Sequence, residues 1–224
     1  MFNNKKIFEQ FQIRKYRRNQ LILFQGEVPQ FGCILKKGII KEYDISKQGN
    51  EQITWLVKEN EVFPIPWLMD TTPASTYYYE AVSQCEVYIL SKQDYLNLLE
   101  FNKAYLNSEL KRQAYKENAQ AKRLAAILNH KAENKLLNTF QYLVESYGVI
   151  SNKKTAEVII RLTHQDIANL TGLTRETVSK ELNLLRERGI ITQHSKRTNY
   201  IVNLNMLNEL VSTPLSSPYL TEWS

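Results

Sequence analysis

The side chains best suited to binding chemistry lie on one face of a helix that is predicted to begin after Thr174. At about 100° per residue, the polar and apolar residues of this helix separate onto different sides. The polar arc consists of Arg175, Glu176, Ser179, Lys180, Asn183 and Arg186, and the apolar side consists of Val178, Leu182 and Leu185. Such a helix packs one face on its own domain and presents the other, which suits a helix that reads the major groove of DNA. The alternative is that Arg175 and Glu176 belong to a solvated helix face.

The residues around this helix predict the elements that would position it. Thr163, with Asp166 three residues later, is typical of a capped helix start, and Gly172 suits the tight turn after a short helix. Thr174 is a favourable N-cap for the polar helix. Two short apolar runs after Gly189 predict a two-stranded wing, namely residues 190–192 and 200–202, joined by a turn that carries Lys196 and Arg197.

This part of the chain resembles the winged helix-turn-helix of the catabolite activator/Fnr (Crp/Fnr) superfamily of bacterial transcription regulators. The similar residues are Leu162-Thr163, Gln165-Asp166-Ile167-Ala168, residues 171–180, and Leu185 with Gly189-Ile190-Ile191. Three segments of the first half are similar to the family's sensor domain: Gln25-Gly26-Glu27, residues 34–38, and Cys85-Glu86-Val87. The resemblance spans about residues 20–204. It implies an α+β protein with an N-terminal antiparallel β-roll of the cyclic-nucleotide-binding type, a long dimerisation helix and a C-terminal winged helix-turn-helix.

The resemblance also implies which residues would contact DNA. In the family, an Arg-Glu pair followed four residues later by an Arg meets a G-rich half-site. Arg175 and Glu176 match that pattern, whereas Lys180 replaces the second Arg. Because Lys offers a point charge where Arg offers a planar fork, the base that Lys180 would read is open. The other predicted contacts are Thr177 and Ser179 on the same helix, and Thr163, Thr174, Lys196 and Arg197 at phosphates. For Lys196 and Arg197 a solvated turn is the alternative.

The positive charge of the chain is concentrated in its second half. The 224 residues carry a net charge of +6. Residues 1–102 hold 12 Lys and Arg against 12 Asp and Glu, whereas residues 103–224 hold 17 against 11. Such an asymmetry is typical of a region that binds nucleic acid or another anionic surface, although a solvated helix face is again the alternative.

The first half has the composition of a small antiparallel barrel or roll. Four of the seven glycines (Gly26, Gly32, Gly38 and Gly49) separate short β-branched and aromatic runs. We predict strands at residues 20–24, 33–36, 39–45, 52–57, 77–82 and 86–90. Prolines at positions 64, 66 and 73 bracket Trp67, so this piece is predicted to be an irregular loop and not a strand.

Helices are predicted from residue 92 to residue 147, where glycine and proline are absent. A long helix over about 106–129 carries a stripe that would pack on a second copy of the chain or on its own domain: Leu110, Ala114, Glu117, Ala121, Leu124 and Leu128. Glu117 interrupts its apolar character. A further helix through Phe140 should end near Gly148.

We therefore expect four parts: a β-roll sensor at 1–102, a dimerisation helix at 103–131, a winged helix-turn-helix at 132–212 and a C-terminal tail at 213–224. The function predicted is that of a homodimer that binds an inverted repeat in double-stranded DNA and regulates transcription, with RNA polymerase as a further partner. Since no apolar leader or membrane span occurs, the cytoplasm is the expected compartment.

The effector of the sensor half is less well defined. Cyclic-nucleotide binders of the family have Gly-Glu where this chain has Pro64-Ile65, and Arg-Ser where it has Ser75-Thr76. Ile65 cannot accept from ribose hydroxyls and no Arg is near Ser75, so cyclic AMP is not expected. The effector is thus a different molecule, or the protein is active without one. A pocket for an apolar or aromatic ligand would be formed by Ile65, Trp67, Ser75, Thr76, Tyr77 and Tyr79, or these residues simply pack on the roll. Cys33 and Cys85 are either a thiol sensor or buried and inert.

Other functional classes lack the residues they need. Two cysteines cannot hold an iron–sulfur cluster, and residues 1–129 contain no histidine for haem or for a cupin-type metal site. Neither GxGxxG nor GxxxxGK[ST] occurs. We therefore predict no enzyme, no metal site and no cofactor. An interaction module without DNA reading would leave the polar arc unexplained, and the deep, narrow major groove of RNA does not admit a reading helix.

Overall fold

The computed structural model describes residues 5–152, 154–193, 199–211 and 215. The chain forms two compact units, Met1–Asn118 and Ala119–Ser224. The division falls inside one long helix, so the last turns of that helix belong to the second unit. The predicted boundaries at residues 102, 131 and 212 stay predictions.

The first unit is a roll of two four-stranded antiparallel sheets. In one sheet the strands lie in the order β1 (Gln12–Tyr16), β8 (Cys85–Leu90), β3 (Gly32–Lys37) and β6 (Val62–Phe63). In the other the order is β2 (Leu21–Leu23), β7 (Tyr78–Ala81), β4 (Ile40–Ile45) and β5 (Glu51–Val57). The β-roll of the predicted fold is therefore confirmed.

Two of these strands and two short helices of the first unit, one of them α1 (Lys5–Phe8), were not predicted. β1 is an edge strand whose first four residues are exposed, so it has no apolar alternation, and β6 has only two residues. The piece expected to be an irregular loop contains a short helix, α2 (Ile65–Leu68). The expectation of a loop was wrong there because proline lacks only an N–H that the first turn of a helix does not use.

Helices close the first unit. A core cluster joins α1 (Lys5–Phe8) to α3 (Lys92–Phe101), with Phe8, Tyr95 and Tyr105 among its buried members. Ser91 caps α3 in a capping box with Asp94. The long helix, α4 (Lys103–Ile127), begins on this core.

The second unit combines helices with one antiparallel sheet. After the end of α4 come α5 (Ala132–Tyr147), α6 (His164–Thr171), α7 (Arg175–Glu187) and α8 (Leu204–Leu210). The sheet has the order β11 (Ile191–Gln193), β12 (Tyr200–Asn203), β10 (Thr155–Val158) and β9 (Gly148–Asn152). The predicted wing strands pair with Ile191 opposite Val202 and Gln193 opposite Tyr200. This arrangement confirms the winged helix-turn-helix, although the hairpin β9–β10 was not predicted.

Candidate nucleic-acid interface and roll pocket

Side-chain caps fix the starts of the two helices that form the helix-turn-helix. The Oγ1 of Thr163 accepts from the backbone N–H of Asp166 at 3.1 Å, and the Asp166 carboxylate accepts from the backbone N–H of Thr163 at 2.7 Å. Gly172 ends α6 with φ of 65°, a left-handed conformation that glycine adopts without strain. Thr174 then caps α7 by accepting from the N–H of Thr177 at 3.2 Å. The predicted caps therefore define where each helix begins.

The two faces of α7 differ in exposure as its periodicity predicts. Val178, Leu182 and Leu185 are fully buried against the rest of the second unit. Arg175, Glu176, Lys180 and Asn183 are exposed, and Thr177, Ser179 and Arg186 are partly exposed. The polar arc is thus available to a partner over the first two turns of the helix.

Arg186 has a role within the unit that the sequence did not indicate. Its guanidinium donates to Asn183 Oδ1 at 2.9 Å and to Gln193 Oε1 at 2.8 Å. Because Gln193 lies on β11, these bonds tie the last turn of α7 to the first wing strand. Arg186 is therefore partly occupied by its own domain.

His164, which sequence reasoning passed over, is the first residue of α6 and lies close to this surface. Partial burial, followed by the charges of Arg186 and Arg175, lowers the pKa of His164 below its usual value. The charges of Arg175, at the start of α7, and of Arg186, near its end, thus both act on His164 at the start of α6. No sequence pattern relates positions 164, 175 and 186, because only the packing of α6 on α7 brings them together.

Two predicted contacts lie outside the described residues. Lys196 and Arg197 belong to the turn between β11 and β12, and residues 194–198 of that turn are not described. The same holds for the predicted tail at 213–224, except for Leu215, whose backbone N–H donates to Asn208 Oδ1 at 2.9 Å.

The six residues of the predicted effector pocket occupy different places in the roll. Ser75 is buried and its hydroxyl donates to the Tyr77 carbonyl at 2.8 Å, whereas Thr76 is exposed. Trp67 packs on the core cluster, with the ammonium of Lys92 4.8 Å from its ring centroid. Ile65 is the member that lines a pocket in the first unit. Tyr79 reaches the wall of that pocket, because its hydroxyl donates to Glu42 at 3.2 Å.

That pocket is charged and is lined from both the roll and the first turns of α4. It is small, with about 10 Å³ of space for a water-sized group, and its ionisable residues are Glu42, Glu61, Glu109, Arg112 and Lys116. Lys116 donates to Glu42 at 3.2 Å, and Arg112 donates to Glu109 at 2.5 Å. Burial raises the pKa of Glu61, which accepts from the Trp55 indole at 2.9 Å. We call these residues, with Val57, Val62, Phe63, Ile65 and Gln113, the roll pocket.

Both cysteines are enclosed by the roll. Cys33 and Cys85 have 0% of their surface exposed, and neither forms a disulfide. Burial raises the pKa of the Cys33 thiol to about 12 and raises that of Cys85 as well. At neutral pH both are therefore thiols and poor nucleophiles.

A sensor-type roll, a long helix and a winged helix-turn-helix define the class of protein: a transcription regulator that binds DNA. Family models agree, since a cyclic nucleotide-binding domain matches residues 13–102 and a Crp-like helix-turn-helix domain matches residues 122–210. The chain belongs to the Crp/Fnr family of transcription regulators, whose members are not enzymes. The resemblance found in the sequence is thereby confirmed.

Individual relatives are distant but cover most of the chain. A global nitrogen regulator of Synechococcus elongatus is 27% identical over 83% of this chain and 84% of its own length. The cAMP-activated global transcriptional regulator of Pasteurella multocida is 22% identical over 82% and 87%. Among solved structures, FixK2 from Bradyrhizobium japonicum has the same fold, with a TM-score of 0.73, 17% identity, and coverage of 91% of this chain and 98% of that one.

In the part of the chain that the structure describes, no helix has both the length and the hydropathy to span a bilayer. Over the same residues, no three His, Cys, Asp or Glu side chains are grouped as metal ligands would be.

Proposed function

We propose that this regulator acts as a homodimer that reads an inverted repeat in double-stranded DNA. The observation that carries the proposal is the stripe on α4. Leu110, Leu124 and Leu128 are 58%, 61% and 69% exposed, and the other stripe residues (Ala114, Glu117 and Ala121) are exposed as well. Exposed leucines in one row along a helix and at its end are costly in water and suit a second copy of the same helix.

The opposite side of α4 is already occupied. Tyr105, Glu109, Ala119, Arg123 and Ala126 are buried. A helix with one buried and one exposed face accounts for both alternatives raised by the sequence, because it packs on its own domain and still offers a stripe to a twin. Glu117 lies at the middle of that stripe, and its charged side chain would retain water in the interface.

In such a dimer, each α7 would enter a major groove, with the two helices about 34 Å apart along the DNA. Arg175 and Glu176 would read base edges, together with Lys180, Thr177 and Ser179. Thr163, Thr174, Lys196 and Arg197 would hold phosphates and set the register without specifying sequence. RNA polymerase is the further partner that regulation of transcription implies.

We also infer that the effector, where one acts, is not cyclic AMP. Three carboxylates of the roll pocket (Glu42, Glu61 and Glu109) face two cations, and both cations are engaged by Glu42 and Glu109. A cyclic phosphate would therefore meet an acidic wall without a free guanidinium. An apolar or aromatic ligand at Ile65 and Tyr79, or activity without an effector, fits better. A thiol signal is disfavoured by the burial of both cysteines.

Selection of preferred sites from random DNA tests the proposal. The chain should enrich an inverted repeat, and Arg175→Ala should lose preference at one position of each half-site, with affinity about 10- to 100-fold weaker, equivalent to ~1–3 kcal/mol. Glu181→Ala on the same helix, outside the polar arc, is the matched control. An unchanged motif with Arg175→Ala would show that α7 is not the reading helix, and no enrichment by the wild type would favour an interaction module.

The dimer and the effector are tested separately. Leu124→Lys with Leu128→Lys should produce a monomer in sedimentation, whereas Lys122→Met should not. Cyclic AMP at millimolar concentration should change neither the thermal midpoint nor the DNA affinity of the wild type. Saturable stabilisation by micromolar cyclic AMP would contradict the inference about the roll pocket.

A further inference from the structure

A buried arginine in the last turns of α4 has no place in the function described so far. Arg123 is only 7% exposed and belongs to the second unit. Its guanidinium donates to the backbone carbonyl of Leu170 at 3.3 Å and lies 5.0 Å from the ring centroid of Tyr142. Burying a guanidinium is costly unless partners replace water, so this one is held by defined contacts.

The position of Arg123 on α4 is opposite the exposed stripe. At about 100° per residue, the buried residues Ala119, Arg123 and Ala126 lie within about 60° of one another. The stripe residues Ala121, Leu124 and Leu128 occupy an equally narrow sector on the far side of the helix. The same three turns therefore carry the proposed dimer seam on one side and the packing on the DNA-binding unit on the other.

The carbonyl that Arg123 contacts lies at a sensitive point of the helix-turn-helix. Leu170 is in the last turn of α6, one residue before Thr171 and two before the Gly172 turn that leads into α7. Carbonyls at a helix C-terminus carry partial negative charge and lack intrahelical donors, so a cation there is favourable. Thr171 is itself fully buried and donates to the Ile167 carbonyl at 2.8 Å.

The other contact extends the connection to α5. Tyr142 is buried on α5 and makes an edge-to-face contact with Tyr147, with ring centroids 6.4 Å apart. A planar guanidinium can lie on an aromatic face and donate in its own plane at the same time, whereas an ammonium provides a point charge. Arg123 thus connects α4 with both α5 and α6.

We propose that Arg123 is a positioning residue for DNA recognition, which fixes the reading unit on the dimer helix and so sets the spacing of half-sites that the dimer accepts. This inference rests on the proposed dimer. It concerns spacing and not base identity, because Arg123 is buried beneath the helix-turn-helix and does not belong to the polar arc of α7.

The test measures affinity of the full-length chain for DNAs that carry two selected half-sites at the preferred spacing, at spacings changed by 1, 2 and 5 base pairs, or one half-site alone. The wild type should bind the preferred spacing far more tightly than the others. Arg123→Met should lose at least tenfold at the preferred spacing and less than threefold on the single half-site, so that its spacing profile flattens. Lys122→Met, on the same turn, is the matched control and should keep the wild-type profile.

Two milder variants keep the test decisive if Arg123→Met does not fold. Arg123→Lys retains the charge without the planar fork, and Tyr142→Leu removes the aromatic face while leaving the bond to Leu170. Both should flatten the profile in the same direction and less strongly. Circular dichroism and sedimentation establish that each variant is folded and dimeric.

The outcomes separate the two proposals. Equal weakening on every DNA, or an unchanged spacing profile in folded Arg123 variants, would overturn the positioning role while leaving the dimer intact. A wild-type chain that selects half-sites singly, with no preferred spacing, would instead contradict the proposed dimer.

Discussion

Polar side chains of the two units have opposite environments: in the roll they are buried beside partners, and on α7 they are exposed. In the roll, Glu42 is only 4% exposed, and its carboxylate accepts hydrogen bonds from Thr54, Tyr79 and Lys116. In the helix-turn-helix, Arg175, Glu176 and Lys180 stand exposed on α7. Polar groups with internal partners specify how the roll packs, whereas exposed groups on a rigid helix retain their hydrogen-bonding capacity for a partner.

The site that would accept a signal is already filled with its own ion pairs, while the surface that would bind DNA has been left available. A ligand of the roll pocket must therefore displace or extend existing contacts, and DNA need displace only water and counterions.

The largest expected effect concerns the reactivity of Cys33, which is buried inside the roll. Burial raises the Cys33 pKa to about 12, compared with 9.0 for an unperturbed thiol. The higher pKa leaves far less thiolate at neutral pH, and burial also keeps reagents away from the sulfur. In a Cys85→Ser variant, alkylation of Cys33 at pH 7.5 should therefore be slower than for a free thiol by about 100-fold or more, until denaturant unfolds the chain. Rapid alkylation of the folded protein would show that the roll does not enclose Cys33. A thiol signal would then again be a candidate for the effector.

The next effect concerns the internal partners of the roll. Lys116→Met would leave the Glu42 carboxylate buried without its cation and would also remove the ammonium 5.3 Å from the Trp55 ring centroid. We expect a loss of about 2–4 kcal/mol in the free energy of unfolding, because breaking a buried pair leaves an uncompensated charge. Urea unfolding measures it. Lys111→Met, exposed on the same helix, should cost almost nothing, and adding Glu42→Gln to Lys116→Met should recover part of the loss.

A smaller effect is expected in the DNA-binding unit, where the structural polar groups are helix caps. Thr174→Ala removes the hydroxyl that accepts from the Thr177 N–H and should reduce the free energy of unfolding by ~1 kcal/mol. Thr192→Ala, exposed on β11, is the control for loss of a hydroxyl. A Thr174→Ala loss as large as that of Lys116→Met would show that the caps carry as much of the stability as the buried pairs do.

The smallest effect is a pH dependence at His164. Its folded pKa lies below the unfolded value, so the unfolded chain takes up more protons as the pH falls below about 6.5. Wild-type stability should therefore decline more than that of His164→Asn between pH 7 and pH 5.5, and the two should run parallel above pH 7. Parallel unfolding curves at every pH would show that neither burial nor the charges of Arg186 and Arg175 lower the pKa of His164.

Local sequence rules predicted much of the second unit. Thr163 and Asp166, Gly172, and Thr174 are capping and turn residues whose effect depends on neighbours within four positions. The buried and exposed sides of α7 follow from a period of 3.6 residues. The same rules failed for β1, β6 and the hairpin β9–β10, because an edge strand with polar residues or a strand of two residues has no periodic pattern to detect.

Only part of the candidate site was predicted from the sequence. The exposed polar face of α7 was anticipated from its residues, and the exposure of the α4 stripe agrees with the spacing that suggested it. Of the residues that line the roll pocket, only Ile65 was anticipated, because its ionisable residues come from strands and a helix that are distant in the sequence. Arg186 was placed on the reading face by its angle, but its bond to Gln193 depends on where β11 lies.

The sequence by itself determined the class of the protein through its resemblance to a family, and the concentration of charge in the second half through composition. It also determined the caps and faces of α7, since these follow from residue types at short spacing. Only the tertiary structure decided that Glu42 meets Lys116 across 74 positions and that Arg123 meets the Leu170 carbonyl across 47. A buried charge is tolerated only where the fold brings a suitable partner into contact with it, and no local sequence pattern predicts that contact.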